Sequence, residues 1–267
     1  MRLSNRAITL ALGASMLIVS PASGQPTIFL GFDTNTPVQK FTTNGTFLGT
    51  FGQNGATGSA LDGAGTVWTV APNFGSNRIE RYDASGTLLG STTAAVAGQW
   101  IEDMAYGGGN TIWAGTYEGN VFNIDASTGA TLSSFSVPNS SYTGVGFDGT
   151  FLWLTGGLAG NDNIYKYSTT GTLLSTINTG FTDGMGLGYD LGSNTLWVGY
   201  VGGDVRQFDL AGTFISGFSA PGGAHDGLEI GEVGRTAVAP EPASLVLLGT
   251  GLIGICGVVV RRRKTDA

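Results

Sequence analysis

The chain is short of the residues on which much of protein chemistry depends. Among 267 residues there is one cysteine, Cys256, and it lies in an apolar stretch near the C-terminus. The body of the protein therefore has no disulfide, no thiol nucleophile and no cysteine-held zinc, and its stability must come from a hydrophobic core. There is also one histidine, His225. Alone it supports neither a multi-histidine metal site nor a Ser-His-Asp relay. Charge is scarce and one-sided. Between Gln25 and Pro240 the only basic residues are Lys40, Arg78, Arg81, Lys166, Arg206 and Arg235, against seventeen acids, a net of −11. A body so acidic repels nucleic acid and anionic lipid, and it leaves neutral glycans, cationic ligands and divalent metals as candidate partners.

The two ends differ from the body. Residues 1–24 read as a secretory signal peptide, with Arg2 and Arg6 as the positive start, Ala7 to Val19 as the apolar stretch, and Ala22-Ser23-Gly24 as small residues before a cut at Gln25. The apolar stretch is shorter than the roughly 20 residues of a membrane span, which favours cleavage over anchoring. The other end reads Pro240-Glu241-Pro242, then an uncharged segment over 243–260, then Arg261-Arg262-Arg263-Lys264. That segment is just long enough to cross a bilayer, and the basic cluster would hold its end in the cytoplasm.

The triplet, the apolar segment and the arginine cluster, in that order at the chain end, resemble the PEP-CTERM sorting signal over about 239–264, here bounded as 237–267. The resemblance implies that Pro240, Glu241 and Pro242 are recognised by an exosortase and that Arg261, Arg262, Arg263 and Lys264 form the basic stop. It also implies Sec export, signal peptidase cleavage and an inner-membrane-anchored precursor. The processed body would then go to the cell surface or extracellular matrix of a Gram-negative, polysaccharide-making bacterium.

Between the ends the chain repeats five times. Glycines that follow a turn recur as Gly45, Gly86, Gly129, Gly171 and Gly212. After each come two columns, Phe47, Leu88, Thr131, Leu173, Phe214 and Leu48, Leu89, Leu132, Leu174, Ile215. Upstream run Val38, Ile79, Val121, Ile164, Val205, and an aromatic column of Phe29, Trp68, Trp113, Trp153 and Trp197. Short segments rich in β-branched and aromatic residues, bounded by Gly, Asn, Asp and Ser, are strands. Four of them in each repeat of roughly 42 residues make a β-propeller blade. The first portion lacks an inner strand, and Gly227-Leu228-Glu229-Ile230 supplies one, so the last segment is expected to close the first blade. The reading is an all-β, five-bladed β-propeller over 25–236, similar to the NHL and YVTN-type propellers.

Candidate site residues come from the stretches entering the inner strands: Trp100, Glu102, Asp103, Asp183, His225 and Asp226. Asp183-Gly184 and Asp226-Gly227 look like one blade position, which would bring two or three carboxylates to one mouth of the axis. Three readings compete for them. One is turn chemistry, since Asp before Gly caps tight turns. The second is a Ca²⁺ site of hard oxygen ligands. The third is a glycosidase using paired carboxylates, as in similar sugar-acting propellers. Asp83, Asp125 and Asp209 recur at one turn and read as structural. Trp100 falls outside the aromatic column and is the aromatic singled out for ligand contact. No catalytic set and no cofactor are expected. The expected function is a non-enzymatic binding or scaffold protein associated with extracellular polysaccharide, with a carbohydrate-active enzyme as the alternative.

Overall fold

A computed structural model describes residues 25–32, 36–62, 64–70, 77–138, 144–156, 163–223 and 226–232. The signal segment, His225, the sorting triplet and the basic stop lie outside the described residues. The chain forms β1 (Thr27–Gly31), β2 (Pro37–Thr42) and β3 (Phe47–Asn54), then β4 (Ser59–Leu61), β5 (Val67–Val70), β6 (Arg78–Tyr82) and β7 (Leu88–Thr93). Next come β8 (Ile101–Gly108), β9 (Thr111–Thr116), β10 (Asn120–Asp125) and β11 (Thr131–Ser136), then β12 (Val145–Phe147), β13 (Phe151–Thr155), β14 (Asn163–Ser168) and β15 (Leu173–Asn178). The last are β16 (Gly184–Asp190), β17 (Thr195–Tyr200), β18 (Asp204–Phe208), β19 (Phe214–Ser219) and β20 (Gly227–Gly231).

These strands make five antiparallel four-stranded sheets, the blades of a propeller, and β20 completes the first sheet in the order β20-β1-β2-β3. The closure expected from the sequence is thus present: Leu228 pairs with Leu30 and Gly231 with Thr27. It removes an open edge on the inner side of the first blade and holds the two chain ends side by side. The inner strands β20, β4, β8, β12 and β16 surround the axis, each against the next. All begin on one face of the disc, here the near face, and end on the far face. Both Thr27 and Gly231 lie at the far face.

The core sits between blades. The upstream column and the aromatic column are buried throughout, Trp197 at 1% exposure and Trp153 at 2%. Each aromatic fills the seam to a neighbouring blade, as Trp153 does when it stacks on Tyr189 of the fifth blade at 6.2 Å. Both faces of the inner two strands of each blade are therefore buried, which explains why those strands alternate so weakly in hydropathy.

The outer hairpins show why the glycine column exists. Gly45, Gly86, Gly129, Gly171 and Gly212 all adopt positive φ, between 75° and 91°. The aspartates ahead of three of them cap the turn: Asp83 accepts from the Ser85 and Thr87 N–H groups at 2.9 Å. Asp209 accepts in the same way from Ala211 and Thr213, and Asp125 from Ser127 and Thr128. The Ser85 hydroxyl bond holds the Asp83 carboxyl below its ordinary range, and backbone bonds from Thr128 and Thr213 do the same for Asp125 and Asp209. Just beyond each turn, all five outer pairs carry a bulge. The bulge leaves Leu48, Leu89, Leu132, Leu174 and Ile215 unpaired in the ladder, so this apolar column faces solvent.

Two of these glycines separate strain from collision. A Cβ on Gly86 would meet only the Phe51 ring at 3.6 Å, whereas one on Gly129 would lie 2.0 Å from the Thr93 carbonyl oxygen. Gly86→Ala is expected to cost about 1–2 kcal/mol through left-handed backbone strain, and Gly129→Ala substantially more. Urea unfolding midpoints check this, and equal losses would refute the assignment.

Candidate functional site

The pairing of inner with second strands fixes which residues of the five blades are equivalent. Opposite the aromatic column stand Glu229, Ala60, Ala105, Gly146 and Gly188. Two residues earlier in each strand stand Gly227, Gly58, Asp103, Gly144 and Gly186. Four blades thus carry glycine at this level, and the third carries aspartate.

The glycines are sterically required. A Cβ would lie 2.2 Å from the Thr57 oxygen at Gly227 and 2.7 Å from the Asp103 Cα at Gly58. At Gly144 it would lie 2.2 Å from the Met185 oxygen, and at Gly186 2.5 Å from the Leu228 nitrogen. Small residues here let the five inner strands close on the axis, which is why the inner strands read as glycine-spaced.

Asp103 is accommodated because β8 bulges between Ile101 and Asp103. Its side chain has no solvent exposure. One carboxylate oxygen, Oδ2, accepts from the Val145 N–H at 3.2 Å and the Leu187 N–H at 3.0 Å, while Oδ1 accepts from the Met104 N–H at 2.9 Å. These donors come from the inner strands of the fourth, fifth and third blades. Inner strands have no sheet neighbour on the axial side, so Asp103 supplies the acceptor their N–H groups lack. Burial pushes its carboxyl well above the ordinary range, the three N–H bonds oppose that, and the Glu229 carboxylate adds to it.

Glu229 is the second enclosed carboxylate, standing where the other blades have Ala or Gly. Burial raises its pKa to about 8, against the pull of the Ile230 and Leu61 N–H groups. The sequence reading missed Glu229. Aligning the inner strands on the aromatic column would have marked both Glu229 and Asp103 as departures from a small-residue column.

The other candidates fall into two groups. Glu102 and Asp103 lie inside β8, not in the loop before it, and Asp226 sits immediately before β20. Glu102 and Asp226 are 7% and 3% exposed. Asp226-Gly227 is brought against Asp103, since a Cβ on Gly227 would lie 2.9 Å from Asp103 Oδ1. Asp183 does not occupy the place of Asp226. β16 is irregular between Gly184 and Leu187 and sets Gly184 opposite Tyr200, which puts Asp183 further out on the near face. There it is half-buried with φ 65°, and its carbonyl accepts from the Val201 N–H at 3.1 Å. The expected equivalence of the two Asp-Gly pairs is therefore corrected by one strand irregularity. Among the described residues no group of three or more His, Cys, Asp or Glu could hold a metal ion.

Trp100 stands apart, 42% exposed on the near face. Beside it is Tyr117, a residue the sequence reading did not single out, 41% exposed, with ring centroids 6.2 Å apart at 40°. The Trp100 N–H donates to the Glu118 carboxylate at 2.9 Å, and the Tyr117 N–H donates to the Trp100 carbonyl at 2.9 Å.

Residues 238–264 match the PEP-CTERM protein-sorting motif. The chain carries a PEP-CTERM sorting motif. The matched span contains both the Pro240–Pro242 triplet and the basic stop at 261–264. The PEP-CTERM motif implies export, a membrane-anchored precursor and an exosortase as processing partner. No curated protein matches the chain. The five-bladed body fits the NHL and YVTN-type resemblance at the level of architecture. No helix among the described residues is long and apolar enough to cross a membrane, and the expected anchor at 243–260 lies outside them.

Proposed function

We propose that this PEP-CTERM propeller is a non-enzymatic binding or scaffold protein, released to the cell surface or extracellular matrix and associated there with extracellular polysaccharide. Residues 1–24 direct Sec export and are removed by signal peptidase. Residues 243–260 hold the precursor in the membrane until exosortase acts at Pro240–Pro242.

The observation that carries the reading is the enclosure of the axial carboxylates behind a sorting motif. A glycosidase needs one protonated and one ionised carboxyl group in reach of the sugar. Asp103 is sealed from solvent and engaged by three N–H donors, and Glu102 and Asp226 are nearly sealed. This favours binding over catalysis, and the Trp100–Tyr117 pair is an aromatic feature that faces outward on the near face. The test is co-sedimentation of residues 25–239, within which all five sheets close, with the extracellular polysaccharide of the source organism, with and without Ca²⁺. Saturable binding without release of reducing sugar is the expected result. Turnover that disappears in Asp183→Ala or Glu102→Ala would instead favour the enzyme.

A further inference from the structure

We infer that Trp100 and Tyr117 form a preorganised stacking platform for the pyranose rings of a neutral polysaccharide, a site that rests on the polysaccharide reading and gives it an address.

The platform is distinguished by how firmly it is held. Exposed aromatic side chains lose apolar surface to water unless something covers them, and two held together form a patch. The segment Gln99-Trp100-Ile101 is fixed from three sides. Asn77 donates through Nδ2 to the Gln99 carbonyl at 2.6 Å and accepts the Ile101 N–H at 3.2 Å. Gln99 Oε1 accepts from the Thr116 hydroxyl at 3.1 Å and Asn120 Nδ2 at 2.7 Å. Glu118 and the Trp100 carbonyl bind the backbone on either side of the two rings, as described above. Asn77 itself holds φ 45°, a left-handed conformation unusual for a non-glycine residue. So many hydrogen bonds fixing the backbone that carries the two rings lower the ordering entropy that a ligand would otherwise have to supply.

The chemistry around the rings selects the ligand class. Aromatic faces attract the C–H face of a sugar ring, and the neighbouring Glu118 carboxylate offers an acceptor to hydroxyl groups. The net charge of −11 on the body disfavours an anionic polymer. Placement agrees. The described residues begin and end at the far face, where Thr27 pairs with Gly231, on the side of the disc opposite the platform. Trp100 is also the one exposed tryptophan, for the other four are 1–5% exposed.

That isolation supplies the readout. Purified residues 25–239 are titrated with dextran, hydroxyethylcellulose and galactomannan as neutral probes and alginate as an anionic one, following acrylamide quenching of tryptophan emission. At least one neutral polymer is expected to bind and shield the quencher-accessible tryptophan. Trp100→Ala and Tyr117→Ala should each weaken that binding roughly tenfold or more, while Trp100→Phe retains most of it, and thermal melts of these surface variants should match the wild type. Wild-type affinity in both alanine variants would overturn the platform and leave the polysaccharide reading standing. Failure of the wild type to bind any neutral probe or the native polysaccharide would overturn both. A preference for alginate would overturn the neutral class. Capture of a protein partner through these rings, without sugar binding, would overturn the platform as a glycan site.

Discussion

Asp103→Ala lowers the stability of the propeller by roughly 3–9 kcal/mol, from the loss of an acceptor for three buried N–H groups at about 1–3 kcal/mol each. Set against a typical domain stability of about 5–15 kcal/mol, this brings the protein near unfolding at room temperature. The loss is spread across the ring, because the N–H groups of Met104, Val145 and Leu187 belong to three different blades. Asp103→Gly would make the level uniform, with glycine in all five blades, yet it is expected to be as damaging, because a glycine cannot accept those bonds. Asp103→Asn falls between, since its one carbonyl oxygen can serve the Val145 and Leu187 donors while its amide turns a donor toward Met104. Urea unfolding of the three variants checks the ordering. A melting temperature for Asp103→Ala within a degree or two of the wild type would falsify the hub assignment.

Stability should also fall as pH rises, which is the reverse of the usual behaviour of carboxylate-rich proteins. Glu229 has its folded pKa raised to about 8, against 4.5 for the free side chain. Between those values the folded state keeps a proton that the unfolded chain releases. Stability is therefore fully present below about pH 4.5 and drains away up to about pH 8, beyond which this residue adds no further slope. A shift of that size corresponds to ~5 kcal/mol over the whole window. Asp103, raised in the same direction by burial, adds to the trend. Glu229→Gln keeps an oxygen acceptor for the Ile230 and Leu61 N–H groups and carries no proton to lose. It is expected to flatten the pH profile and to be more stable than the wild type at pH 8. Parallel stability curves for wild type and variant from pH 5 to pH 8 would refute the assignment.

Much of the fold was legible in the chain because its signals are local. A turn glycine, the β-branched residue before it on the preceding strand and an aromatic one strand earlier all lie within one repeat of roughly 42 residues. Their recurrence counts the blades. The sorting motif was legible for a similar reason, since it is read from one short contiguous segment. The site was less legible. Asp103 looked like one of several loop carboxylates because nothing near it in sequence reveals that Val145 and Leu187, 42 and 84 residues away, offer their N–H groups to it. Asp183 and Asp226 looked equivalent because both precede glycine, and only the strand pairing shows that β16 carries an irregularity there.

The sequence by itself determined the number of blades, the closure of the last strand on the first, the acidity of the body and the sorting motif at its end. Each is a property of composition or of pattern within one repeat. The tertiary structure decided which polar side chains meet water. It sealed Asp103, Glu229 and Asp226 among five converging inner strands and left Trp100 beside Tyr117 in the open. Exposure depends on how blades distant in sequence close around an axis, and no local pattern encodes the outcome of that closure.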